Sequence, residues 1–248
     1  MFGLIIGSFA GVLVVRIPQK KSIIFPASRC PHCRQKIAWY DNLPVLGFVL
    51  LGGKCRFCQK NISWFYPAIE LLAALMFLAV YLKFGFQPVG FIFAILSFFL
   101  LVLSAIDYDH QILPDSLNFP LIFLGLVVSP FNYFLGETYG HRLLFSVLGI
   151  LSGGGIIYLA GIIGEKILKK EAIGGGDLKL LAAIGSFLGP WGVFWTLMLG
   201  SLLGSLVGGG LILAKRRNYG QTLPFGPFLS LGALGTVFFR EWLKKIFG

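Results

Sequence analysis

Two carboxylates and four thiols are the groups in this chain whose settings point to chemistry. Asp177 follows three glycines in Gly174-Gly175-Gly176-Asp177-Leu178-Lys179, at the mouth of an apolar segment. An ionisable group at a membrane boundary is costly and marks function by default, although aspartate is also a common helix N-cap. Asp107 closes another apolar segment, Leu103-Ser104-Ala105-Ile106-Asp107. Of the aspartates that follow, Asp115 lies between Pro114 and Ser116 and suits helix capping, while Asp109 and its neighbour His110 suit a solvated loop. Two carboxylates meeting at one site can share a proton and activate water for attack on a peptide carbonyl. Helix polarity would divide their roles, with Asp177 at a positive helix end as base and Asp107 at a negative end as the protonated partner. The pair would titrate as a unit. Gly174, Gly175 and Gly176 carry no side chains, which permits an unwound backbone and close approach of a substrate.

The thiols form a second constellation. Cys30-Pro31-His32-Cys33 and Cys55-Arg56-Phe57-Cys58 are two Cys-x-x-Cys knuckles separated by 21 residues. Thiolates so spaced can grip one zinc ion from two tight turns, and four of them fill a tetrahedral shell, which makes the metal structural. A small loop domain gains most of its order from such a site. Disulfide or redox chemistry is the rival use of the same residues; a reducing compartment would favour zinc. His32 is then a surface residue.

The elements that must position these groups are membrane helices. The chain has 248 residues, 56% hydrophobic and 12% charged, with a mean hydropathy of +0.84. A soluble domain carries roughly twice that share of charge. The net charge of +11 sits in short loops between apolar segments, a pattern of membrane topology and lipid headgroups that excludes nucleic acid as the partner. Spans are expected at about 2–17, 66–84, 88–106, 116–136, 142–164, 178–190, 191–213 and 224–246, with a tight turn at Gly189-Pro190. The segment Phe2 to Val15 lacks a positive leader region and a small-residue cleavage site, and reads as a retained helix. An outside N-terminus puts 16 lysines and arginines on the inner side and leaves five outside, which sets the orientation. Inner residues include Lys166, Lys169, Lys170, Lys215, Arg216 and Arg217; the basic C-terminal end is the misfit. Asp107 and Asp177 then both lie at inner faces. The expected fold is an all-α polytopic membrane protein of about eight transmembrane helices with a small cytoplasmic zinc-binding loop domain. Its parts are a first helix (1–17), a tetra-cysteine domain (18–65) and a transmembrane core (66–248), and the chain shows no low-complexity tract and no convincing internal repeat.

Taken in order, these residues resemble the prepilin peptidases, the type IV leader peptidase family of Gly-x-Gly-Asp membrane aspartyl proteases. The resemblance runs through Gly7-Ser8-Phe9, Arg16-Ile17-Pro18, Ser28-Arg29-Cys30-Pro31-x-Cys33 and Trp39-Tyr40-Asp41-Asn42-Leu43-Pro44-Val45. It continues through Gly53-Lys54-Cys55-Arg56-x-Cys58, Ile62-Ser63, Tyr66-Pro67 and Glu70. Asp107, Leu113-Pro114-Asp115, Gly174-x-Gly176-Asp177-x-Lys179-Leu180 and Pro224-Phe225-Gly226-Pro227 complete it. Gly11 and Phe65 depart from it, standing where the family usually has asparagine and arginine. The resemblance implies a multi-pass protease of the bacterial inner membrane that cleaves the basic leader of type IV prepilin or pseudopilin precursors at the cytoplasmic face. Asp107 and Asp177 become its catalytic residues. It further implies methylation of the new N-terminus with S-adenosylmethionine, in the service of type IV pili or type II secretion. Glu70, at the inner start of the second span, would then serve a cofactor or substrate, or simply cap its helix. The Trp39–Val45 stretch would form part of a methyl-donor or substrate surface, or a plain turn around Asp41-Asn42.

Rival classes are a transporter or channel with Asp107, Asp177 and Glu70 lining an ion path, and a zinc-stabilised scaffold for an assembly machine. Carboxylates gathered at one face favour the protease; carboxylates spread through the bilayer favour transport.

Overall fold

The computed structural model describes residues 1–25, 27–156, 158–159, 162, 174–214 and 223–247. The ordered elements among them are helices, and the chain divides into two compact units, Met1–Gly85 and Phe86–Gly248.

The first unit holds α1 (Phe2–Arg16), the short α2 (Leu46–Leu50) and α3 (Phe65–Phe84). α1 packs along α3. A side chain at Gly7 would stand 2.6 Å from the Glu70 Cα, so the two backbones meet through a residue with no side chain. α3 stops at Gly85, whose φ of 62° suits glycine. Between α1 and α3 lies the cysteine module.

The second unit contains α4 (Pro88–His110), α5 (Asp115–Val128) with a short 3-10 turn to Phe131, and α6 (Tyr139–Ile150), which runs into a π turn to Ile156. α7 (Gly175–Leu213) and α8 (Gly226–Phe247) follow. Pro88 opens α4, where its missing N–H does no harm. α7 packs against α5, α6 and α8, and α4 packs against α8. Phe93, Leu96, Leu100, Leu103, Ile106, Leu121, Leu181, Ile184, Phe187 and Leu229 fill the space between them and are fully buried. α6 and α7 cross through Gly149 and Gly185, where a side chain on either would overlap the other's carbonyl.

Among the described residues, three helices are long and apolar enough to cross a membrane: Phe65–Phe84, Pro88–His110 and Gly175–Leu213. The eight expected spans are therefore not all matched by helices of spanning length. α1 and α5 have 15 and 14 residues, too few for the roughly 20 that a bilayer core requires. α8 carries Arg240, Glu241, Lys244 and Lys245 in its second half. The end of the fifth expected span, with Lys166, Lys169, Lys170 and the basic residues Lys215, Arg216 and Arg217, lies outside the described residues. The sixth and seventh expected spans meet at Gly189 (φ 70°, ψ −177°) before Pro190, where the backbone leaves the helical range and divides α7 into two helices. The expected turn falls where these two helices join, as a kink at Gly189. Pro190 has no N–H to give the Ser186 carbonyl one turn earlier; the buried Ser146 hydroxyl bonds it instead at 2.7 Å. The adjacent Phe187 carbonyl accepts from the buried Asn132 side chain at 2.7 Å.

Candidate active site and metal centre

Asp107 lies in the last turn of α4, which extends past the expected end of that span, and it is 5% exposed. Its Oδ2 accepts a 2.8 Å hydrogen bond from the Gly226 N–H, the first residue of α8. A Cβ at Gly226 would lie 2.8 Å from that oxygen and 3.1 Å from the carboxyl carbon, so only glycine lets the backbone approach so closely. Asp177 sits in the first turn of α7, half-buried, with its own N–H bonded to the Gly174 carbonyl at 3.0 Å. The two carboxylates lie close enough to repel each other as anions. The structure thus brings together the two aspartates singled out in the sequence. It also changes the electrostatic argument for Asp107. The C-terminal end of α4 disfavours an anion there, but the N-terminal end of α8 and its N–H favour one directly.

The glycine run is less open than expected. Gly174 is the extended N-cap of α7, whereas Gly175 and Gly176 are already helical. A Cβ at Gly176 would lie 3.0 Å from Leu113 Cβ, so its close approach is to the Leu113-Pro114 segment. Asp115 does not cap α5 with its side chain, as expected, but pairs with Lys179 at 2.6 Å. This contact ties the starts of α5 and α7 together. Asp109 and His110 are exposed, though on the helix rather than in a loop.

In the first unit, the Sγ atoms of Cys30, Cys33, Cys55 and Cys58 all lie within 4.8 Å of one another. Cys30 and Cys58 are 3.8 Å apart, and Cys33 and Cys55 4.0 Å. A tetrahedron with metal–sulfur bonds of about 2.3 Å has edges of about 3.8 Å, so the donor set fits zinc. All four are free thiols, and their separations far exceed a sulfur–sulfur bond of about 2.05 Å. The Cys33 peptide N–H bonds the Cys30 sulfur and favours its thiolate, while the neighbouring sulfurs push the Cys33 thiol the other way, as expected of thiols crowded into one cluster. His32 is exposed and outside the cluster.

The knuckles also correct the expectation of no internal repeat. Residues 28–37 and 53–62 share one set of backbone bonds. Cys30 N–H bonds the Gln35 carbonyl as Cys55 N–H bonds Lys60, and Ile37 N–H bonds Ser28 as Ile62 N–H bonds Gly53. The residues after each second cysteine, Arg34 and Gln59, both adopt positive φ, 60° and 58°.

Two further contacts had no sequence signal strong enough to find them. Arg56 holds both carboxylate oxygens of Asp41, and this bonding keeps the Asp41 carboxyl below its ordinary 3.8. Glu70, 8% exposed, accepts the Val45 N–H at 2.8 Å, so it bonds an amide of the Trp39–Val45 stretch and not the start of its own helix.

Two carboxylates at helix ends and a tetra-thiol knuckle stand in a chain that comparison with known proteins assigns to a class of peptidases. Residues 1–84 match the bacterial peptidase A24 N-terminal domain, and residues 94–209 match the type IV leader peptidase family. The chain belongs to that family. It is 36% identical to the type 4 prepilin-like proteins leader peptide-processing enzyme of Escherichia coli O78:H11, over 96% of this chain and 91% of the relative. It is 34% identical to the prepilin leader peptidase/N-methyltransferase of Pseudomonas aeruginosa, over 100% of this chain and 89% of the relative. The enzyme of the same name from Xanthomonas campestris is 33% identical, over 92% and 86%. No solved structure matches the chain.

Proposed function

We propose that this protein is an aspartic endopeptidase that removes the leader of type IV prepilin or pseudopilin precursors and then methylates the new N-terminus. Relatives that cover nearly the whole chain carry both activities in their names. The transporter and scaffold readings find no support there.

The observation that carries the catalytic assignment is that Asp107, held by the Gly226 amide, lies within electrostatic reach of Asp177. In this reading Asp107 is the anion, held by that N–H, and takes a proton from water as it attacks the scissile carbonyl. Asp177 supplies the proton to the carbonyl oxygen. Collapse of the tetrahedral intermediate breaks the carbon–nitrogen bond: the proton on Asp107 passes to the leaving amine, and a diol hydroxyl returns its proton to Asp177, which leaves the carboxylic acid and both aspartates as they began. This reverses the division of roles expected from α4 and α7 alone. The basic inner loops support an inner-membrane orientation with both aspartates at the cytoplasmic face. Zinc held by Cys30, Cys33, Cys55 and Cys58 orders the first unit. S-adenosylmethionine, when bound, supplies an electrophilic methyl group, and its place in this reading is the first unit, where the buried Glu70 carboxylate holds the Val45 amide.

The test is cleavage of a purified prepilin by the reconstituted protein. Asp107→Asn and Asp177→Asn should each lower the rate by at least the 10²–10⁴-fold that is typical of losing an acid–base group. Full cleavage by either variant would end the aspartate assignment.

A further inference from the structure

The two knuckles match in backbone but not in side chain. Arg56 occupies the place that Pro31 holds in the first knuckle, so closing the thiolate shell does not call for a cation there. Its guanidinium reaches away instead. Nε and Nη2 donate to the two oxygens of Asp41 at 2.8 and 2.5 Å, and the Tyr40 ring centroid is 5.4 Å from its central carbon. The Asp41 side chain is only 7% exposed, so its charge depends on this one bidentate partner.

The chain beyond Asp41 is held at a second point. Val45 adopts φ 60° and ψ −46°, a state rare for any residue with a branched Cβ. The Leu46 N–H bonds the Pro44 carbonyl across it at 2.6 Å, which closes a γ-turn. The Val45 N–H points to Glu70 Oε2. Gly47 backs onto the Asp41 carbonyl so closely that no side chain fits. Such strain persists only where the surroundings over-determine the backbone, and it gathers at ligand clamps and active sites.

We propose that Arg56 and Glu70 are positioning residues that clamp the Asp41–Val45 turn, one from the metal knuckle and the other from α3, and that N-methyl transfer requires the turn in this form. The proposal rests on the reading of this chain as an N-methyltransferase. It gives the metal a part in the reaction without contact to substrate: the thiolates fix the Cys55–Cys58 knuckle, the knuckle aims Arg56, and Arg56 holds Asp41. Leader cleavage at Asp107 and Asp177 does not draw on the clamp.

The test uses the full-length, zinc-loaded protein in liposomes, with a prepilin substrate and labelled S-adenosylmethionine. Arg56→Gln and Asp41→Asn should each keep their zinc and cleave the leader within about twofold of the parent. Each should transfer methyl about tenfold or more slowly, the scale of one charge-assisted pair. The double variant should be no slower than either single one, because both break the same contact, and Arg56→Lys should recover part of the rate. Amide exchange across residues 41–50 should quicken about tenfold in Arg56→Gln although the metal remains. Unchanged exchange in that variant would overturn the clamp, as would loss of zinc in step with loss of methyl transfer. A parent protein that cleaves but transfers no methyl would instead overturn the functional reading, and the exchange measurement would still decide whether the clamp exists.

Discussion

Gly226→Ala probes the active site without touching either aspartate. The added Cβ would stand 2.8 Å from Asp107 Oδ2, 3.1 Å from Cγ and 3.2 Å from Cβ. All three are shorter than ordinary contact, so the carboxylate must retreat by several tenths of an ångström and its bond to the Gly226 N–H must stretch. A hydrogen bond to a charged group contributes about 1.5–3 kcal/mol. At about 1.36 kcal/mol for each factor of ten in rate, full loss corresponds to roughly a 10- to 150-fold fall in kcat/KM for leader cleavage. Alanine favours helix more than glycine does, so α8 should still form. Gly210→Ala, on a part of α7 where an added methyl meets nothing within 4 Å, is the matched control and should cleave normally. The assay is the rate of leader removal from a purified precursor, followed by the mass shift. Cleavage within twofold of the parent by a well-folded Gly226→Ala protein would refute the role given to this amide.

Other expectations follow from the same contacts. Cys30→Ser or Cys55→Ser removes one of four thiolates, and the zinc content of the purified protein should fall well below one per chain, as it should after strong chelation. Asn132→Leu leaves the Phe187 carbonyl and the Phe134 N–H without their buried partner. At about 1–3 kcal/mol for an orphaned group, it should lower the thermal midpoint in detergent by several degrees. The Asp41 carboxyl, held below 3.8 by Arg56, contributes stability that is fully present above its unfolded value and lost as pH falls through the lower folded one. Exchange across residues 41–50, corrected for intrinsic rate, should therefore stay flat from pH 7 to about pH 5 and rise only in stronger acid.

What could be read from the sequence was set by how local each signal is. Asp107 and Asp177 stood out because a charge at the edge of an apolar run is costly wherever the chain goes. The tetra-thiol cluster was legible for a similar reason, since two Cys-x-x-Cys turns are short-range geometry. Gly226 was visible only as part of a motif, because its partner Asp107 lies 119 residues away and no periodicity links them. Arg56 read as one more inner-loop cation; its pairing with Asp41 exists only once the knuckle has closed. The repeat escaped notice because just the cysteines and the final isoleucine recur between residues 28–37 and 53–62, while the match lies in backbone bonds. The glycines before Asp177 misled in the other direction: absence of side chains permits unwinding, but Leu113 uses the space at Gly176 for packing.

The kink at Gly189 bears on how the protein is built in the membrane. Peptide carbonyls stranded in lipid cannot wait for water, and those of Ser186 and Phe187 depend on Ser146 and Asn132. Both donors come earlier in the chain. They are synthesised before α7, so docking onto α6 and the segment after α5 would satisfy both carbonyls as α7 arrives. The order of residues along the chain is then an order of assembly, and a rearranged chain that made α7 first would have to insert it with two unsatisfied acceptors.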